Sequence, residues 1–451
     1  MVWQSEIPGS GNRYSVQGTF LSYDSTTGYL QYQATDFLGD PGANVGIEDA
    51  CIKPTVVADG DNFVVGWTRV DESYPNRPYR IEFAYVEAGT SPGQHTVYSE
   101  SSGVGFPLSD ASGVRTFVAG ASGETLGMDT KRKDPISGAP LNHQMVCVNI
   151  HSVFSHAGIN PGEVLNEYVL YGWQVDFTSP SNPGFTALVD PSLQTPDVLL
   201  EDIFVDQLAG GYDGAGRVPP FVRETKGGHL IVSHDAMELE ERITNSQNQD
   251  YGRVWVHSLR IAAGGSLSCV SSYNFEGPNL DRYQRRTNIS ADYDTNIERF
   301  SIGWLELDST GANGGGNLGY FGLTLTGDFD LAQTGVYGTY TDPSDEVLDP
   351  RALYESTDSP HGPQTPWDIL IGTNSIPQGA QDDFEIYMWD SATPTLLDTE
   401  FVPNPTSVQY AVTDPRRPAL FYLDNFAMPV VYDAIVNSGG VEWPILHYKP
   451  R

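Results

Sequence analysis

Short runs of alternating apolar and polar residues recur along the chain, separated by Gly, Pro, Asn and Asp. Side chains of a strand point alternately to its two faces, so each run predicts a half-buried β-strand. Clear examples are Asn62–Val70, Arg80–Glu87, Arg253–Ile261 and Phe300–Glu306. Helical periodicity is confined to Asp235–Asn245, where it predicts two or three turns between strands. The pattern therefore predicts an all-β protein.

A unit of three strands recurs along the chain: a short strand, a polar turn, a second strand that ends near Trp or Gly, and a third alternating strand after a loop. The second strands lie near residues 65, 232, 302, 370 and 430. Apart from a first gap of about 170 residues, the steps are about 60–70 residues, a period typical of repeat architectures. The first gap has room for one unit with long insertions or for two units.

This pattern resembles a β-propeller of the broad sialidase-like and glycosidase-like group. The resemblance implies a ring of antiparallel sheets, with six blades favoured and five or seven as alternatives; two β-sandwiches are the alternative fold. It places an N-terminal arm at 1–14 and the propeller at 15–451, with insertions around 100–215. Neither a sialidase-type aspartate box nor a WD signature is present, so the resemblance depends on architecture alone.

Charge excludes whole classes of partner. The chain has 58 acidic and 24 basic side chains, a formal net charge of −34, and its most basic stretch is Lys131–Lys133. Proteins that bind nucleic acid or anionic membranes need a basic face, so we expect neither partner. No stretch approaches 18 consecutive apolar residues, and the N-terminal residues lack the basic and apolar regions of a secretory signal. We therefore expect synthesis in the cytoplasm and no membrane insertion.

The acidic excess is unusual in kind, with 36 Asp and 22 Glu against 19 Arg and only 5 Lys. This composition resembles that of proteins from extreme halophiles. Molar salt shortens the Debye length to about 3 Å, which removes the mutual repulsion of the carboxylates. We therefore predict a halophilic source and a fold that depends on salt.

Few motifs in the sequence indicate a binding or catalytic site. Gly314–Gly319 contains Gly-x-Gly-x-x-Gly, but a strand is predicted after it where a nucleotide site needs a helix, so we predict a hairpin loop. His143, Cys147 and His151 share one face of a predicted strand, where positions four apart lie about 13 Å apart. That separation is too long for a shared metal ion, and Cys147 is predicted to be a core residue.

Metal binding is left open. Short acidic pairs lie in predicted turns and could supply oxygen ligands for Ca²⁺ or another cation, although the EF-hand spacing is absent. The pairs are Asp59 and Asp61, Asp292 and Asp294, and Asp328 and Asp330. No catalytic or cofactor-binding residue is assigned, because 58 carboxylates make any glycosidase-like pair a matter of chance.

The main functional prediction is a non-enzymatic structural or attachment protein on the surface of a halophilic virus particle, as a turret, spike or tail-fibre component. An all-β fold with long loops, no disulfide framework among Cys51, Cys147 and Cys269, and no secretory signal motivate it. Its partners would be other virion proteins and a host-surface glycan or protein, within a homo-oligomer or larger assembly. The alternatives are a carbohydrate-active enzyme or lectin that uses the propeller funnel, and a cytoplasmic protein-interaction scaffold.

Overall fold

The computed structural model describes most of the strand-forming parts of the chain. The described residues are 2–7, 14–24, 29–32, 36–39, 50–70, 79–89, 94–99, 126–157, 164–192, 200–206, 220–236, 253–274, 282–292, 299–308, 316–326, 330–341, 352–356, 367–373, 384–390, 395–402, 412–420, 430–436 and 441–447. Every element in these segments is a strand except one short 3-10 helix, Ala263–Gly265. The predicted all-β class is confirmed, and no helix among the described residues is long and apolar enough to cross a membrane.

The chain divides into two compact units. Unit 1 consists of Met1–Val232, Met237–Ser246 and Leu259–Cys269, and unit 2 of Ser233–Ala236, Gln247–Ser258 and Val270–Arg451. The prediction treats residues 15–451 as one propeller domain, and those limits stay a prediction. Predicted strands Asn62–Val70 and Arg253–Ile261 have the observed bounds.

The sheets follow one another in chain order. The N-terminal strands are β1 (Val2–Glu6), β2 (Tyr14–Gly18) and β5 (Asp36–Gly39), which form one sheet in that order, and β3 (Leu21–Asp24) and β4 (Tyr29–Tyr32), which form a hairpin. The next sheet is β6 (Ala50–Asp59), β7 (Asn62–Val70), β8 (Tyr79–Ala88) and β9 (His95–Ser99). It is followed by β10 (Leu126–Thr130), β11 (Gln144–Ala157), β12 (Val164–Asp176) and β13 (Gly184–Leu188), with β14 (Leu200–Asp206) also paired to β12.

Three sheets of four strands and one of three complete the described chain. The first is β15 (Phe221–Glu224), β16 (Leu230–Ala236), β17 (Arg253–Ile261) and β18 (Leu267–Asn274). The second is β19 (Arg282–Asp292), β20 (Arg299–Asp308), β21 (Gly316–Leu325) and β22 (Leu331–Thr341). The third is β23 (Ala352–Ser356), β24 (Trp367–Thr373), β25 (Phe384–Asp390) and β26 (Thr395–Val402), and the last is β27 (Val412–Leu420), β28 (Val430–Val436) and β29 (Val441–His447).

Within each unit, the first strands of consecutive sheets lie beside one another. In unit 1, β10 contacts both β6 and β15; in unit 2, β23 contacts both β19 and β27. Each sheet after the N-terminal strands is built from consecutive strands, whereas sandwiches exchange strands between two sheets through Greek-key connections. Antiparallel sheets in chain order with adjacent first strands are the blades of a β-propeller, so the predicted fold class is confirmed. The number of blades stays a prediction.

The predicted repeat corresponds to these sheets. The markers near residues 65, 232, 302, 370 and 430 fall in β7, β16, β20, β24 and β28, which are the second strands of their sheets. Among the described residues, the long first gap holds one five-stranded sheet, β10–β14.

Two local predictions need correction. Asp235 and Ala236 continue strand β16 and do not begin the predicted helix, whose other residues lie outside the described segments. Gly316–Gly319 begins β21, which pairs with both β20 and β22, so this part of the glycine-rich motif is strand and not loop. Sheet pairing on both sides outweighs the local preference of glycine for turns.

One hydrophobic core of unit 1 fills the space between the sheets of β6–β9 and β10–β13. Its buried members include Tyr85, Met128, Cys147, Trp173 and Phe177, and the Tyr85 and Phe177 rings stack at 5.0 Å between centroids. Cys147 is therefore a core residue, as predicted.

Close approach of β10 and β15 leaves no room for a side chain at Gly127. A Cβ atom there would lie 1.9 Å from the backbone oxygen of Pro220. We expect Gly127→Ala to lower the free energy of unfolding by about 1–3 kcal/mol, because a backbone carbonyl cannot move aside as a side chain can. Gly184→Ala is the matched control, since its Cβ would meet only the Cβ of Asp176 at 3.7 Å. Equal urea midpoints for the two variants would contradict the observed contact between these strands.

Candidate functional site

The carboxyl ends of β6, β10 and β15 meet at one end of unit 1. The Thr130 hydroxyl donates a hydrogen bond to the Ala58 carbonyl, which joins β10 to β6. The Glu224 amide donates to Asp129 Oδ2 at 2.8 Å, which joins β15 to β10. Polar side chains that follow these three strands are thereby brought together.

A carboxylate, a phenol and an imidazole meet at the end of β6. Asp59 Oδ2 accepts hydrogen bonds from Tyr85 Oη at 2.7 Å and from His143 Nδ1 at 2.9 Å. Asp59 Oδ1 also accepts one from the backbone amide of His143 at 3.2 Å. Asn62 Nδ2 donates to Tyr85 Oη at 2.8 Å. We call Asp59, Asn62, Tyr85 and His143 the His143 site.

Tyr85 is a fixed, protonated member of this site. Its side chain is buried, and burial together with the hydrogen bond to the Asp59 carboxylate raises the pKa of the Tyr85 phenol far above its ordinary value. The phenol therefore donates to Asp59 throughout the physiological pH range and cannot act as a nucleophile. Its role is to hold the carboxylate in place.

His143 has an unusual backbone. Its φ is +58°, in the left-handed region that non-glycine residues seldom adopt. Two backbone hydrogen bonds maintain the surrounding loop: Phe177 N donates to His143 O at 2.7 Å, and Lys131 N donates to Gln144 O at 2.8 Å. Such conformations cost about 1–3 kcal/mol and concentrate at functional sites.

The tautomer of His143 follows from its contact with Asp59. A carboxylate oxygen only accepts hydrogen bonds, so Nδ1 carries the proton, and in the neutral ring Nε2 is the basic nitrogen. The side chain is 45% exposed while that of Asp59 is 12% exposed. A carboxylate-oriented imidazole with an accessible ring is the arrangement of a general base.

A second polar cluster lies at the ends of β10 and β15, within the same unit. Lys131 Nζ contacts Glu224 Oε1 at 2.7 Å and donates to the Gly228 carbonyl at 2.7 Å. The amides of Arg132 and Lys133 donate to the two oxygens of Glu224 at 2.8 and 3.0 Å. With both charged groups buried and hydrogen-bonded, this cluster joins the two sheets and has no accessible reactive atom.

The acidic turns have different outcomes. Asp59 is a member of the His143 site, and Asp61 is exposed in the same turn. The backbone amide of Asp330 donates a hydrogen bond to Thr326 Oγ1. Asp292 ends β19, while Asp294 and Asp328 lie outside the described residues. Within the described part of the chain, no group of three or more His, Cys, Asp or Glu residues is placed to hold a metal ion.

The sequence alone identified no catalytic residue, and it indicated His143 only as a possible metal ligand. Cys147 is buried in the core, and His143 lies just before β11. The sequence signal that points to this site is the hairpin turn after Asp59, which places a carboxylate at the end of strand β6. Its partner is 84 residues away, so no local spacing could have identified the pair.

No protein-family model matches the sequence, and no curated protein is significantly similar to it. Similar solved structures include the GH93 α-L-arabinofuranosidase of Fusarium graminearum with arabinobiose (TM-score 0.48, 10% identity, covering 91% of this chain and 96% of that one). They also include the Trypanosoma rangeli sialidase with the inhibitor DANA (TM-score 0.42, 9% identity, 99% and 59%) and the endo-arabinase of Bacteroides thetaiotaomicron (TM-score 0.31, 9% identity, 66% and 93%).

These findings correct the main functional prediction. The solved structures named above are glycoside hydrolases and a sialidase, and this finding contradicts the prediction of a non-enzymatic virion component, which is wrong. It depended on general features, such as an all-β fold without a disulfide framework, that enzymes share. The halophilic source, the virion location and the predicted partners stay predictions.

Proposed function

We propose that this chain acts on neutral glycans, with His143 as a general base and Asp59 as the residue that orients it. The observation that carries this proposal is the contact of His143 Nδ1 with Asp59 Oδ2 at 2.9 Å, on a histidine side chain that is 45% exposed. His143 Nε2 would accept a proton from water or a sugar hydroxyl, and Asp59 would stabilise the imidazolium that forms.

Charge supports a neutral substrate. The members of the His143 site include the Asp59 carboxylate and no lysine or arginine, so none of them carries a permanent positive charge that would pair with a phosphorylated, sulfated or sialylated group. Sugar hydroxyls carry no charge, and each can donate a hydrogen bond, which His143 Nε2 would accept. We therefore favour neutral arabinose-containing glycans over sialosides among the substrates of the similar solved structures.

The test measures hydrolysis of arabinan, aryl α-L-arabinofuranosides and aryl sialosides by the full chain in molar KCl. We expect turnover on a neutral substrate and a fall of about 100-fold or more in kcat/KM for His143→Asn. Asparagine tolerates the left-handed backbone and offers an amide donor near the position of Nδ1, so this variant removes Nε2 while it preserves the loop. Specific binding of a neutral glycan without turnover would assign the chain as a lectin.

Two further variants separate catalysis from folding. Asp59→Asn presents an amide donor to Nδ1 and favours the wrong tautomer of His143, so we expect kcat to fall while KM changes by less than about threefold. Asp61→Asn changes the exposed carboxylate of the same turn and should retain activity. Glycan hydrolysis that is unaffected by His143→Asn would place the active site elsewhere in the chain.

A further inference from the structure

Two buried histidines and an exposed serine form a line across one sheet. They are His234 on β16, His257 on β17 and Ser272 on β18, and all three belong to unit 2. His257 Nδ1 lies 2.8 Å from Ser272 Oγ, and His257 Nε2 lies 2.8 Å from His234 Nε2. The two imidazole planes differ by only 11° and the ring centroids lie 4.9 Å apart, so the rings are nearly parallel and approach each other through their Nε2 atoms. We call these three residues the Ser272 relay.

The distances define how protons are placed. A single proton lies between the two Nε2 atoms, because two acceptors or two donors at 2.8 Å would repel one another. When His257 Nε2 carries it and donates to His234, His257 Nδ1 becomes an acceptor for the Ser272 hydroxyl. That arrangement matches a serine nucleophile, its base and a third group that orients the base.

Burial favours a base that is uncharged at rest. His234 and His257 are 2% and 9% exposed, whereas Ser272 is exposed on β18, at the end of the sheet order. Desolvation, and secondly the neighbouring His234, lowers the pKa of His257 well below its ordinary value. Trp255 stacks near His257, with centroids 5.9 Å apart and planes within 7°, and helps to fix the ring. The nucleophile is thus accessible while the rest of the relay is enclosed.

We propose that Ser272 is a nucleophile for acyl transfer from small carboxylic esters, a site independent of the His143 site. Ser272 Oγ would form a bond to the ester carbonyl carbon as its proton moves to His257 Nδ1, and the carbonyl π pair would move to oxygen. Return of that pair breaks the bond to the leaving alcohol, which takes the proton from His257. Water then attacks the acyl-serine by the same steps, releases the carboxylic acid and restores Ser272.

The experiment treats the full chain with a fluorophosphonate ester and follows the mass of the intact protein. We expect one phosphonyl group per chain, located on Ser272 by peptide mapping, and no labelling at that peptide in Ser272→Ala. Ser271→Ala removes a hydroxyl from the adjacent position of the same strand and should label like the unmodified protein. Release of p-nitrophenol from p-nitrophenyl acetate, with an initial burst, is the second readout.

His234 has a positioning role that a conservative variant can test. His234→Gln keeps an acceptor near the place of Nε2, so we expect its labelling rate to stay within about threefold; His234→Leu removes the acceptor and should lower the rate at least about tenfold. Circular dichroism checks that each variant is folded. If the unmodified chain is not labelled, or if Ser272→Ala labels equally, Ser272 is not a nucleophile. The His143 proposal is tested by glycan hydrolysis, and neither result decides the other.

Discussion

Replacing Lys131 with methionine is expected to lower the free energy of unfolding by about 3–5 kcal/mol, because it leaves the buried carboxylate of Glu224 without its cation. Lys131 Nζ lies 2.7 Å from Glu224 Oε1, and the two side chains are 0% and 3% exposed. The remaining partners of Glu224 are two backbone amides and Arg132, whose Nη1 is 4.0 Å away on a side chain that is 52% exposed. They compensate the charge only in part.

The same pair illustrates the cost of burying charge. Burial lowers the pKa of the Lys131 ammonium, and the attraction of Glu224 opposes this without cancelling it. Removing one member of such a pair lowers the free energy of unfolding strongly, whereas replacing both charged groups lowers it little. We therefore expect the double variant Lys131→Met with Glu224→Gln to recover at least half of the loss, since no charge then remains buried.

Arg132→Met is the matched control for the single variant. It removes the second cation near the Glu224 carboxylate, but the Arg132 guanidinium is exposed and 4.0 Å away. The expected loss in the free energy of unfolding is therefore below about 1 kcal/mol. All variants are compared by urea unfolding in molar KCl with circular dichroism. Equal losses for Lys131→Met and Arg132→Met would show that Glu224 is hydrated in solution and that the two sheets are not joined by a buried ion pair.

The strand periodicity predicted the fold because blades repeat a local pattern. The second strands of five sheets were located from the alternation of side chains and from Trp or Gly at their ends, as at Trp67 and Trp304. Local signals also misled: Asp235 begins an apparent helical pattern, yet pairing within its sheet makes it part of β16. Tertiary pairing outweighs intrinsic preference when the two disagree.

The candidate sites could not be predicted in this way. Asp59 and His143 are 84 residues apart, and Lys131 and Glu224 are 93 residues apart. Lys131 meets Glu224 because the first strands β10 and β15 end at the same place, and Asp59 meets His143 because β11 begins beside the end of β6. Both are properties of the packed blades and not of any spacing along the chain. The Ser272 relay also joins three strands, and a search for nucleophile motifs around serine does not detect it, because the base comes from another strand.

Removal of salt is expected to unfold the protein. Lowering KCl from about 1 M to about 0.01 M lengthens the Debye length from about 3 Å to about 30 Å. Carboxylates whose charges were screened from one another then begin to repel. With 58 acidic and 24 basic side chains, few carboxylates have a cation available. Two of those cations, Arg69 and Lys131, are committed to the buried carboxylates of Glu82 and Glu224.

The measurement is the far-ultraviolet circular dichroism of the full chain during dialysis against decreasing KCl. We expect the strand signal to disappear at low salt and to return when KCl is restored. Sucrose at equal osmolality is the control, because it is excluded from protein surfaces but does not screen charge, so it should not replace KCl. A spectrum that is unchanged between molar and millimolar KCl would show that the exposed carboxylates are too far apart to destabilise the blades, and the acidic composition would then carry no information about the working salt concentration.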